Sequence, residues 1–135
     1  MKFSIMVALL AVLFAACSKS SSNSTGPTGP VSFANDVQPI FTNNCALSGC
    51  HSGTTPTGGQ NLSAGVAYSN IVNVKSTEMS NLYRVEPSNS DSSYLYWKIT
   101  GDPRITGVNM PKVGSISSQQ IQTIKDWIDQ GALNN

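Results

Sequence analysis

Histidine occurs once in these 135 residues, cysteine three times, and charged residues make up only 11% of the chain. Cys17 closes the N-terminal apolar run, so Cys45, Cys50 and His51 are the three thiolate and imidazole ligands left, and a tetrahedral zinc site would have to find its fourth among the carboxylates. The few charges are also balanced. Without Lys2, seven basic residues face seven acidic ones, which argues against nucleic acid and against an electrostatic membrane patch. No stretch alternates apolar and polar residues as a half-buried strand does, and no internal repeat is found. The longest apolar run, Ile5 to Ala16, is twelve residues. At about 1.5 Å per residue it is too short to span a bilayer core.

That run has the form of a secretory signal: Lys2 gives a positive start and residues 5–16 the apolar centre. It ends on Phe14-Ala15-Ala16-Cys17, which resembles the lipobox of bacterial lipoproteins, with Phe14 where that pattern usually has Leu. The resemblance implies a signal peptide over residues 1–16, cleavage before Cys17, and acyl chains on Cys17 that anchor the protein in a membrane. Residues 18–30, SKSSSNSTGPTGP, hold nothing to bury and read as a tether with a reach of about 20 Å root-mean-square. Ser18 lacks the acidic character associated with inner-membrane retention in some bacteria, so the outer membrane is favoured on the periplasm-facing side of the envelope. Residues 31–135 then make one domain. Its apolar stock is thin for its size, so a large apolar cofactor is a candidate to complete the core.

Within the domain, Ser32 to Phe41 reads as a first helix, capped by Ser32 or Asn35. Val37, Ile40 and Phe41 lie on one face, and Pro39 is expected to kink or shorten it. Residues 52–61 are loop by composition, 63–72 a short helix, and 73–86 irregular or weakly extended. Residues 87–99 read as loop, cap and helix, stopped by Gly101 and Pro103. The last helix is the most fully specified. Ser117 and Gln120 form a capping box, Ile116 and Ile121 a hydrophobic staple, Ile121, Ile124, Trp127 and Ile128 an apolar face, and Gly131 the stop. These elements predict a small all-α domain with long loops.

The chemistry concentrates at Cys45-Ala46-Leu47-Ser48-Gly49-Cys50-His51. In an exported protein, two idle thiols would pair, giving a disulfide loop in a haem-free envelope lipoprotein that acts as a binding or structural module. A Cys–His nucleophile pair is disfavoured because sequence neighbours project apart and no third orienting residue is evident. Covalent haem attachment needs two thiols for the two porphyrin vinyl groups and an imidazole directly after the second. The usual spacing is Cys-x-x-Cys-His. Here two further residues separate the thiols, and Ser48-Gly49 supplies a turn to loop them out. A sixth iron ligand is then wanted on the far side of the porphyrin. Met110, in Asn109-Met110-Pro111, is the candidate because its flanks do not look like a packed helix face; Met79 is the reserve. A haem without a sixth ligand would instead suit a gas or redox sensor.

Taken in order, Phe33-Ala34-Asn35-Asp36-Val37-Gln38-Pro39-Ile40-Phe41, Cys50-His51-Ser52-Gly53, Val85 to Leu95, Asn109-Met110-Pro111 and Ile124 to Ala132 give the chain its resemblance to the bacterial class I cytochrome c family, over about residues 32–133. The resemblance implies a small cytochrome c-like helical fold around one covalent haem c. Thioethers would form at Cys45 and Cys50, and His51 and Met110 would be the axial iron ligands. The first and last helices would cross with Phe41 and Trp127 near the contact. It implies a membrane-anchored single-electron carrier rather than an enzyme, meeting redox partner proteins transiently, among them periplasmic oxidoreductases, and binding no small-molecule substrate.

Overall fold

Ser32 opens the first element as a cap. Its Oγ accepts the Asn35 N–H at 3.2 Å, while its own N–H donates to Asp36 Oδ2 at 2.8 Å. In the computed structural model, which describes residues 29–135, this cap leads into a π-helical turn, Phe33–Val37, and then α1, Gln38–Asn44. The proposed signal peptide, Cys17 and nearly all of the tether lie outside the described residues. The single helix expected over residues 32–41 is divided into the π turn and α1 next to Pro39. Pro39 sits in the first turn of α1, where a missing N–H costs nothing, and the wider π turn precedes it. Val37, Ile40 and Phe41 are buried, as their spacing requires.

The second helix is shorter than the sequence suggests. Only α2, Ala67–Ile71, is helical, because Gly65 takes φ +83°, a left-handed conformation that interrupts the run. Residues 72–85 then fold back on themselves through isolated bridges, Val72 with Val85 and Lys75 with Tyr83. A tight turn at Ser90–Ser92, capped by the Asn89 side chain, leads into α3, Tyr94–Thr100, which ends on Gly101 at φ +69°.

α4, Ser118–Asp129, carries the full capping box: Ser117 Oγ accepts the Gln120 N–H and Gln120 Oε1 accepts the Ser117 N–H. At its other end Gly131 N–H donates to Ile128 O and Ala132 N–H to Trp127 O, both at 2.9 Å. These two bonds form a Schellman motif around Gly131 at φ +103°. The described chain is thus helical with almost no strand.

α4 packs on α3 and on the π turn. The first and last helical segments do meet, but the ring facing Trp127 is Phe33, 5.1 Å away between centroids. Phe41 lies one ring further on, 6.2 Å from Phe33. Tyr68 closes the aromatic cluster at 5.4 Å from Phe33, and its hydroxyl donates to Ala132 O. The two ends of the domain are stitched together. Val31 N–H donates to Gln130 Oε1, while Phe33 and Ala34 N–H donate to the side chain and main chain of Asn135. Phe41 and Ile124 belong to this core and also form the wall of a cavity.

Candidate cofactor cavity

Cys45 follows the last residue of α1, so the helix delivers it to a fixed place: its N–H still donates to Phe41 O at 2.9 Å. The chain then loops. Cys50 N–H donates to Leu47 O across Ser48 and Gly49, with Gly49 at φ +78°, and His51 N–H returns to Cys45 O at 3.1 Å. The two residues beyond the usual spacing are taken up in this turn, and His51 is brought back beside the first cysteine.

The His51 ring is oriented by backbone alone. Its Nδ1 lies 3.1 Å from Thr57 O and 3.2 Å from Gln60 O. Carbonyl oxygens only accept, so Nδ1 carries the proton and Nε2 keeps its lone pair. This is the arrangement that metal-ligating histidines use: one nitrogen donates to a carbonyl, and the other is left basic and aimed. Burial lowers the His51 pKa, the two carbonyl contacts oppose that, and the charges of Arg84 and Lys98 add to the lowering. The neutral, ligating form is therefore favoured. Cys45 and Cys50 are free thiols. Burial, and then neighbouring Cys50, push the Cys45 thiol up to about 11. At neutral pH it keeps its proton and is a weak nucleophile and a weak metal ligand.

Cys45 and His51 border a cavity that opens to the surface. Its apolar wall comes from Phe41, Leu62, Leu95, Ile99, Ile116 and Ile124. Met110 lines the same cavity. Its N–H is bonded to Lys98 O at 2.7 Å, which fixes the 107–111 loop against α3, and the Met110–Pro111 peptide is cis. A second hollow shares Cys45, His51 and Met110 with the first and adds Cys50, together with Leu47 and Val113, both exposed. All four residues singled out for the haem site therefore converge on adjoining hollows. Met79 borders neither.

Arg84, Lys98, Glu78 and Tyr94 also line the cavity, and sequence reasoning passed them over. Lys98 Nζ donates to Glu78 Oε2 at 2.9 Å and to Thr106 O at 3.0 Å, and Tyr94 Oη donates to the same carboxylate oxygen at 2.7 Å. Burial works against ionising Glu78, but the bonds from Lys98 and Tyr94 outweigh it and hold its carboxyl below the ordinary value. Nothing in the local sequence marks these residues. They meet only because the 76–78 segment and the 102–107 loop both dock on α3.

Among the described residues, no group of three or more His, Cys, Asp and Glu side chains gathers as a metal-ion site, and no helix is long and apolar enough to cross a membrane. Comparison with protein-family models, with curated proteins and with solved structures returns no match to this chain.

Proposed function

We propose that this protein is a c-type cytochrome of the bacterial cell envelope, a single-electron carrier that holds one covalent haem and is anchored through lipid on Cys17. The observation that carries the reading is the convergence of Cys45, His51 and Met110 on one largely apolar cavity, with His51 Nδ1–H bonded to carbonyls so that Nε2 is left free.

The residues fit the group. The donor set, one imidazole and one thioether with two thiols at the rim, is the set that haem c takes. A haem held there supplies reversible one-electron chemistry at its iron. The chain's own residues do the rest. Cys45 and Cys50 would each add sulfur to one carbon of a vinyl group and hydrogen to the other, so nothing is lost in the attachment. His51, fixed by Thr57 and Gln60, would offer Nε2 to the iron. Met110, held to Lys98, offers a soft sulfur that favours the ferrous state and raises the potential. The apolar wall excludes water and works in the same direction. With His51 and Met110 both holding the iron, no substrate would reach it, which suits a carrier rather than an enzyme or a gas sensor. Redox partners would dock transiently at the thioether rim, where Leu47 and Val113 are exposed.

The test is to make the protein alongside a working cytochrome-maturation system and weigh it. The expected result is a red protein carrying one covalent haem, lost when Cys45 and Cys50 are both changed to Ser. An unmodified, colourless polypeptide with a Cys45–Cys50 disulfide would overturn the reading in favour of a haem-free binding lipoprotein. In the haem-bearing protein, Met110→Ala is expected to lower the reduction potential and open the iron to carbon monoxide, whereas Met79→Ala changes neither.

A further inference from the structure

Arg84 is 6% exposed. It spends three hydrogen bonds on backbone carbonyls: Nη2 to Gly58 O and Nη1 to Asn70 O, both at 2.8 Å, and Nη1 to Gly59 O at 3.4 Å. The ion pairs among the described residues are Lys98–Glu78, Arg104–Asp102 and Lys125–Asp129, and none includes Arg84. A buried charge without a counter-charge is costly, and carbonyl dipoles offset only part of that cost. Lys98, on the same cavity wall, has its carboxylate in Glu78; Arg84 has none.

A guanidinium has five N–H donors. Nη1 and Nη2 make three bonds to carbonyls, and the Nε–H makes none to the described residues. The Nε edge of a guanidinium, Nε–H with an Nη2–H, is a fork that grips a carboxylate with two parallel bonds. Arg84 lines the cavity and its charge is felt at His51, so whatever fills the cavity lies within its reach.

We propose that Arg84 is the receptor for a carboxylate of the cavity's occupant, which, on the function proposed above and resting on it, is a propionate of the haem. The occupant then completes the ion pair that the polypeptide leaves half made, and the binding face of the cavity runs from the cysteine rim to Arg84. Arg84 also ties the 58–59 turn to the end of α2, so its removal also strikes at the fold, and the first measurement is made on the unaltered protein.

In the ferrous, diamagnetic holoprotein with ¹⁵N-labelled arginine, a nuclear Overhauser contact is expected between Arg84 Hε and the methylene protons of a propionate. In Arg84→Gln the propionate charge is left uncompensated near the iron. The ferrous-to-ferric equilibrium is then expected to shift at least tenfold toward ferric, a fall of 59 mV or more for one electron, while Arg84→Lys recovers most of it. Haem in place with no contact to Arg84, or an unchanged potential in a folded Arg84→Gln protein, overturns this assignment and leaves the function standing. A protein that takes up no haem overturns both.

Discussion

Glu78 shows how one residue can tie the cavity to pH. Its carboxylate serves Lys98 and Tyr94 together and is held below its ordinary pKa. In the folded protein it therefore binds fewer protons than in the unfolded chain around pH 4. The stability it adds is fully present above the unfolded value of about 4.3 and is lost as pH falls through the folded one. Glu78→Gln is expected to flatten that acid limb and to cost roughly 1–2 kcal/mol at neutral pH, a small figure because the carboxylate is partly open to solvent. Urea midpoints of both proteins between pH 3 and 7 check both the slope and the size. At this scale the sequence was informative where chemistry is local. Cys45, Cys50 and His51 are neighbours in the chain, and Met110 stood out by its flanks. Arg84 and Glu78 were illegible because a polar side chain in an irregular stretch looks the same whether it faces water or a cavity.

Among the elements, α4 was legible nearly to the residue, since its start and stop are written in short-range chemistry. Ser117→Ala removes the bond to the Gln120 N–H and is expected to cost about 0.5–2 kcal/mol. A Cβ at Gly131 would meet nothing closer than Ser88 Oγ at 3.8 Å, so space is not the obstacle to Gly131→Ala. The cost is the positive φ, about 1–2 kcal/mol for a residue with a side chain. Chemical denaturation of the two single variants and the double variant separates the two ends, which are far enough apart to add. The first helix was less legible. Its apolar face was right, but the π turn depends on how Ser32, Asp36 and Pro39 share donors and acceptors, and hydrophobic spacing does not encode that. The short helix expected over residues 63–72 begins only at Ala67, because Gly65 takes a left-handed conformation.

For the molecule as a whole, the thin apolar stock and the cavity are two sides of one fact. Phe41 and Ile124 pack on the aromatic cluster from one side and face the cavity from the other, so an occupant would extend the core. The haem-loaded protein is expected to exceed the unloaded polypeptide in stability by more than about 3 kcal/mol, the scale of one large aromatic side chain in a core. Parallel urea titrations of protein made with and without maturation measure the difference. The helical class followed from the missing strand pattern, whereas the way Phe33 rather than Phe41 meets Trp127 is a matter of tertiary geometry. The bonds that join Val31, Phe33 and Ala34 to Gln130 and Asn135 have a consequence for chain connectivity. Because the two ends already touch, a short linker could splice them while the backbone is reopened at exposed Val113–Gly114. Such a circular permutant would keep every helix in place and move only the point at which the polymer begins.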